Sequence, residues 1–179
     1  MILLGKGLRP DIWVSDIYSI NLGYLKGIGI KALFFDIDNT LIQYSDHESD
    51  DRLDAWLEKV LDEGFGVGFL SNGKDERIFS FAEKVTVKGE TLTKHPNFKV
   101  TGSARKPLSK GFRKLAGKFN LKKDKVAMVG DQLFTDILGG NWFGCYTILV
   151  DPINRDDDHW FVTFKRHFEK PFLKKFKKS

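Results

Sequence analysis

Asp36 and Asp38 stand two residues apart, directly after the apolar run Ala32-Leu33-Phe34-Phe35. Nothing polar interrupts that run and it has strand length, so the pair falls at the C-terminal end of a buried strand. In an open α/β sheet that edge is where ligands bind. Strand parity places both side chains on one side. A carboxylate pair in such a place suits a divalent cation, which lets both acids stay ionised. The matching chemistry is phosphoryl transfer. Asp36 would attack phosphorus and form an aspartyl-phosphate. Asp38 would protonate the leaving oxygen, then take a proton from the hydrolysing water.

Three further sets fit the same chemistry. Ser71-Asn72-Gly73 follows the apolar stretch Gly66–Leu70, and Ser71 with nearby backbone N–H groups would hold phosphate oxygens. Lys106, before Pro107, would neutralise the transferring phosphoryl group. Gly130-Asp131-Gln132-Leu133-Phe134-Thr135-Asp136 follows Val126–Val129, and Asp131 with Asp136 would complete an oxygen site suited to Mg²⁺. Thr40, Ser71, Asn72 and Lys106 are therefore the candidate phosphate contacts. Asp136 has a second reading, as the cap of the helix that follows it.

The elements that must position these groups are legible as alternating strands and helices. Residues 32–36, 66–70, 125–129 and 145–150 have the composition of buried strands. Val85–Val87 and Phe98–Thr101 look like short strands around a polar loop. Helical spacing runs from Asp50 to Glu63 through Leu53, Trp56, Leu57, Val60 and Leu61, and Gly64 ends it. Further helices are expected over Asp75–Lys84, with Ile78, Phe79 and Ala82 inward, over Ser109–Asn120, and over Phe134–Trp142. Residues 1–30 are expected to pack on the sheet edge. The sum is an α/β fold with a parallel sheet covered on both faces. The first, second and fourth sets would converge at one sheet edge, with Lys106 reaching in.

Composition narrows the alternatives. A chain of 179 residues fits one domain, residues 1–158, followed by a basic aromatic tail, residues 159–179. The net charge of +5 belongs to the tail, which holds seven Lys or Arg and one Glu; the other 158 residues hold 22 basic and 23 acidic groups. The body is thus no nucleic-acid surface by composition. Cys145 is the single cysteine, so no intramolecular disulfide forms; it begins an apolar strand and is expected buried and inert. No apolar run approaches the ~18 residues of a membrane span. The first residues read as too short for a signal peptide. A cytoplasmic protein is the expectation. His47, His95, His159 and His167 show no ligand spacing, and Asp156-Asp157-Asp158 reads as a loop and cap.

The four sets together resemble the haloacid dehalogenase (HAD) superfamily of phosphatases. Asp36-Ile37-Asp38-Asn39-Thr40-Leu41 is similar to its first motif, Ser71 to its second, Lys106 to its third, and Gly130-Asp131 through Asp136 to its fourth. The resemblance implies a Rossmann-like sheet and a Mg²⁺ held by Asp36, the backbone carbonyl of Asp38, and Asp131, with Asp136 in support. Arg9-Pro10-Asp11, Gly29-Ile30-Lys31, Ala104-Arg105-Lys106-Pro107 and the stretch from Gly130 to Asn141 are similar to the YqeG-type branch of HAD subfamily IIIA. That branch is related to phosphatidylglycerophosphate phosphatases, which implies a phospholipid headgroup as substrate. One departure is Gly73, where Asn is expected.

Spacing bears on the substrate independently. Asp36 to Ser71 and Ser71 to Lys106 each span 35 positions. Each interval already holds a loop, a helix and a strand, which leaves no room for a folded cap of ~50 residues. An open site suits a phosphate presented on a surface. In the tail, Phe161, Phe164, Phe168, Phe172 and Phe176 recur at helical spacing among lysines, as an interfacial helix on anionic lipid would. Packing of that stripe on the body is an equal reading. Pro171 would kink or break such a helix. Two rivals share the residues: the same hydrolysis on a soluble or nucleic-acid-end phosphomonoester, and an RNA- or ribonucleoprotein-binding protein with an open phosphate pocket.

Overall fold

The structure is a computed structural model that describes residues 7–43, 45, 48–154, 168–169, 171–176 and 178. Six parallel strands form the main sheet: β1 (Ile12–Val14), β2 (Ala32–Phe35), β3 (Gly66–Leu70), β6 (Phe98–Thr101), β7 (Val126–Gly130) and β8 (Tyr146–Val150). Their spatial order is β1-β8-β7-β2-β3-β6. Strands β4 (Thr86–Val87) and β5 (Glu90–Thr91) form a separate antiparallel hairpin. The chain winds outward from β2 through β3 to β6, then returns to β7 on the other side of β2. The order therefore reverses between β2 and β7, which is the switch point where open α/β sheets bind ligands.

Alternation along the strands builds the two covered faces. Leu33 and Phe35, Val67 and Phe69, and Ala127 and Val129 point into one core. There they meet Leu53, Leu57 and Val60 of α2 (Asp51–Asp62) and Ile78, Phe81 and Ala82 of α3 (Asp75–Lys84); Leu22 and Leu25 of α1 (Leu22–Gly27) join the same core. Ala32 and Phe34, with Val126 and Met128, point the other way onto Phe112, Leu115 and Ala116 of α4 (Ser109–Lys118). Gly68 is glycine because a Cβ there would stand 2.8 Å from the Phe34 ring. The α2 boundaries follow local signals: the Asp50 carboxylate accepts from the Leu53 N–H at 2.7 Å, and Gly64 takes a positive φ of 89° just past the end.

Four expectations are refined. Residues 1–30 do more than lie on the edge, since Ile12–Val14 is itself the edge strand, paired with Ile148–Val150. The side chain of Asp11 accepts from the Thr147 N–H at 2.8 Å, and the amide of Asn141 donates to the Gly7 and Arg9 carbonyls at 2.6 and 3.0 Å. Those bonds buckle the N-terminal segment onto β8 and α5 (Leu138–Phe143). Phe98–Thr101 does not pair with residues 86–87; it extends the main sheet beside β3. The helix expected over Phe134–Trp142 begins as a π-helical turn, Leu133–Ile137, before α5. Phe79 is 45% exposed, and Phe81 takes the inward place, stacked on Phe69 at 5.7 Å.

The described part of the tail packs on the body. Residues 168–169 and 171–173 are helical, so described helix lies on both sides of Pro171. Phe172, Leu173 and Phe176 close a third cluster with Leu8, Leu133, Ile137, Leu138 and Leu149. Buried Glu169 accepts from the Phe134 N–H at 3.2 Å, while Phe168 is exposed. Phe161, Phe164, His47, His159, His167 and Asp156–Asp158 lie outside the described residues. Among the described residues no helix is long and apolar enough to cross a membrane, and no folded unit beyond the hairpin interrupts the sheet.

Phe81→Ala should lower unfolding free energy by about 3–5 kcal/mol, whereas Phe79→Ala should stay within ~0.5 kcal/mol of the parent. Urea unfolding midpoints of the two variants check the assignment.

Candidate active site

The site sits at the carboxyl ends of β2, β3 and β7, around one buried lysine. Lys106 Nζ lies 2.8 Å from Asp36 Oδ1 and 2.6 Å from Asp136 Oδ1, and its side chain is 1% exposed. Asp36 follows β2 and Asp131 follows β7, on the two sides of the switch point. Carboxylate oxygens of Asp36, Asp131 and Asp136 lie within 4.8 Å of one another, all buried. Three carboxylates and one ammonium leave a net −2 in a place shielded from water. Hard oxygen donors with that excess fit a divalent cation of the Mg²⁺ type.

Each of these groups is held by a specific contact. The side chain of Asn72 accepts from the Lys106 N–H at 2.6 Å and donates to the Lys106 carbonyl at 3.3 Å, fixing the loop that carries the lysine. Thr40 Oγ1 donates to Asp131 Oδ1 at 3.0 Å. Thr40 and Asn72, expected as phosphate contacts, thus have protein partners for their side chains. Each has a buried protein partner and acts as a positioning group for Asp131 and Lys106. Asp136 Oδ2 accepts from the Gln132 N–H at 3.1 Å, four residues before it and not in the helix that follows, and Oδ1 accepts from Lys106 Nζ at 2.6 Å. Gly130 makes room for it, since a Cβ there would stand 2.3 Å from Asp136 Oδ2. Ser71, 4% exposed, accepts from the Gly73 N–H at 3.1 Å in the loop after β3. Gly73 carries no positive φ, and its Cβ direction opens toward Ser71 Oγ and Arg77.

Asp38 is placed apart from the three buried acids. It lies in a turn that begins at Ile37 and passes through Asn39 in left-handed conformation, φ 59°. Its carboxylate takes a two-pronged contact from Arg77, Nη2 to Oδ1 at 2.6 Å and Nη1 to Oδ2 at 3.1 Å. Its contribution to a metal site would therefore be its backbone carbonyl. Arg77 escapes the motif pattern. The available signal is a cation in the first turn of α3, where the helix dipole disfavours positive charge; such a residue needs a carboxylate partner.

Burial and neighbours set the protonation of these groups. Burial, then the charge of Asp36, raises the Asp38 carboxyl above its ordinary range, with Arg77 opposing. Burial pushes Asp136 up to about 7 against the pull of Lys106. Burial would depress Lys106, yet Asp136 and Asp36 more than offset it and hold it above the usual lysine range. The two partners favour opposite states of their shared contact. Lys106 keeps its charge on Asp36 throughout, and Asp136 joins the ion pair as it loses its proton near pH 7.

Comparison with known proteins supplies the family. The chain is 33% identical over 178 residues to the probable phosphatase YqeG of Bacillus subtilis, covering 99% of this chain and 96% of that protein. It belongs to the YqeG-type branch of the HAD superfamily. A HAD-hydrolase-like family model matches residues 103–158 of this phosphatase. The chloroplastic phosphatidylglycerophosphate phosphatase 1 of Chlamydomonas reinhardtii is 30% identical over 161 residues, which cover 89% of this chain and 59% of that protein. For the fold alone, the crystal structure of a HAD-superfamily hydrolase from Ehrlichia chaffeensis superposes with a TM-score of 0.52 at 16% identity, covering 79% of this chain and 97% of the other.

Three outcomes test the charge balance of this HAD-family site. Asp136 has its pKa raised from an unfolded value of 3.8 to about 7, so its contribution to stability is present at low pH and lost as pH rises through about 7. In chelator, Asp136 should therefore make Tm decline between pH 5 and pH 8. Millimolar Mg²⁺ should raise Tm more at pH 8 than at pH 5, because the ligands bind the cation deprotonated. Gly130→Ala should displace Asp136 and remove most of that Mg²⁺-dependent rise, as read by differential scanning calorimetry.

Proposed function

We propose that this chain hydrolyses the terminal phosphomonoester of phosphatidylglycerophosphate at a membrane surface, with Asp36 as nucleophile and Mg²⁺ as cofactor. The observation that carries the phosphatase chemistry is Lys106 Nζ held between Asp36 and Asp136 at the switch point. An Asp36 oxygen attacks phosphorus in line with the leaving alcohol, and an aspartyl-phosphate forms. Asp38 gives its proton to the leaving oxygen. In the second half, Asp38 takes a proton from water, the water oxygen attacks phosphorus, and phosphate leaves while the Asp36 carboxylate is restored. Ser71 and Lys106 hold the phosphoryl oxygens and compensate their charge. A cation on Asp36, Asp131 and the Asp38 carbonyl, with Asp136 behind it, would screen Asp36 from the phosphate it attacks.

Three observations support the lipid as substrate. The Chlamydomonas relative carries that activity in its name. An open cleft of about 250 Å³ beside Asp38 has Ile42, Ile78 and Phe81 in its wall, a mixed polar and apolar surface. The intervals on either side of Ser71 contain no folded cap among the described residues. The tail contributes less than its stripe suggests, because Phe172 and Phe176 face the body. Exposed Phe168, Lys174 and Lys175 remain as the side of the tail that would face anionic lipid.

Phosphate release with Mg²⁺ from phosphatidylglycerophosphate in mixed micelles, beside soluble phosphomonoesters, tests both levels. Selective release from the lipid is expected, reduced about 10³-fold or more by Asp36→Asn. Release from soluble esters alone would overturn the lipid substrate. Retention of activity in Asp36→Asn would overturn the nucleophile.

A further inference from the structure

Arg77 occupies a place that the chemistry above leaves without a function. It projects from the first turn of α3 into the cleft beside Asp38, and its guanidinium holds both Asp38 oxygens. The pair is open to solvent, with side-chain exposures of 40% for Arg77 and 21% for Asp38. Lys84 lines the same cleft seven residues further along α3, nearly two turns on and therefore on the same face. Its Nζ lies 3.5 Å from Glu48 Oε1, on a pair that is also exposed. Ile42, Ile78 and Phe81 line the same cleft. The cleft thus combines two cations with an apolar wall, on the side of the site where Asp38 meets the leaving alcohol.

We propose that Arg77 is the specificity residue of this site: it selects phosphomonoesters whose leaving alcohol carries a second anion, a phosphodiester, a short alkyl link away from the scissile oxygen. The inference rests on the reading of Asp38 as the group that meets the leaving oxygen. An alcohol placed at Asp38 brings its own substituents up to the Arg77 guanidinium. A phosphodiester offers two non-bridging oxygens to the planar fork, as a carboxylate offers its two. It can therefore replace Asp38 as the partner of Arg77 without leaving the guanidinium unpaired. The exchange frees both Asp38 oxygens for the leaving group. A neutral alcohol offers no such replacement, so Arg77 stays on Asp38 and both oxygens stay occupied. Selectivity arises because one substrate forms an ion pair with Arg77 while the other meets a blocked acid.

The test compares a soluble short-chain phosphatidylglycerophosphate with glycerol 3-phosphate, whose alkyl alcohol carries no anion and needs the same proton, in wild type, Arg77→Gln and Arg77→Lys. The quantity read is the ratio of kcat/KM for the two substrates, which cancels any effect of Arg77 on the fold or on the nucleophile that both substrates share. Arg77→Gln should lower that ratio at least about tenfold, chiefly through KM of the anionic substrate. Arg77→Lys should retain more of the ratio, because the charge remains while the fork is lost. Binding of short-chain phosphatidylglycerol, which keeps the diester and lacks the monoester, is followed by titration calorimetry. It should weaken about tenfold in Arg77→Gln, and this readout needs no turnover. An unchanged ratio with unchanged binding of the diester would overturn the role of Arg77. Loss of turnover in the wild type with the diester still bound through Arg77 would instead overturn the hydrolytic reading and leave the anion contact standing.

Discussion

One buried ammonium among three buried carboxylates is the constraint on which the site depends. A lysine as deep as Lys106 is tolerated only with its charge fully compensated, because removing an ion from water costs several kcal/mol even after relaxation. Asp36 and Asp136 supply that compensation at 2.8 and 2.6 Å. The compensation overshoots, since Asp131 adds a further negative charge within 4.8 Å. That imbalance is what fits the place to a divalent cation and sets it apart from a plain buried ion pair. On the proposed reading an anionic phosphate would meet a lysine and a divalent cation there, so structural necessity and catalytic need would coincide in the same four side chains.

The sheet delivers these groups without strain on its core. Each carboxylate lies just beyond the last residue of a fully buried strand or in the turn that follows it. Interior positions of β2 and β7 alternate between the two helical layers, which fixes both strands in register and therefore fixes where their ends fall. The polar groups then need local partners of their own. Thr40 restrains Asp131, Asn72 restrains the Lys106 backbone, and the Gln132 N–H restrains Asp136. Glycine at position 130 is part of this restraint, since only a missing Cβ lets the π-helical turn fold the Asp136 side chain back over the strand end.

A second set of contacts ties the two ends of the described chain to that frame. Asp11, Thr147 and Asn141 form a hydrogen-bonded buckle between the edge strand, β8 and α5. Phe172, Leu173 and Phe176 close a cluster against the elements that follow Asp131, and Glu169 accepts from the Phe134 N–H. The helix behind the fourth motif is therefore packed from the tail side as well as from the sheet. Phe172 and Phe176 of the aromatic stripe serve this packing, which explains these two apolar residues in a segment otherwise rich in lysine.

The sequence by itself determined the alternating elements, the parallel sheet and the carboxylates at its strand ends. These are local properties: apolar runs of strand length, helical spacing in α2, and an acid at the end of the runs that lead to Asp36 and Asp131. It also made Asp36, Ser71, Lys106, Asp131 and Asp136 recognisable, because their order along the chain follows one family pattern. Only the tertiary structure decided what each polar side chain touches. Thr40 meets Asp131 across 91 positions, Asn72 meets Lys106 across 34, and Arg77 meets Asp38 across 39. Those partners depend on strand order and on the path of the loops between strands, which no local period encodes. Phe79 and Phe81 show the same limit on a smaller scale, since both fit a helical apolar face until the neighbouring Phe69 settles which one is buried. Hydrophobic period is a property of one element, whereas a buried polar contact is a property of two elements and the space between them.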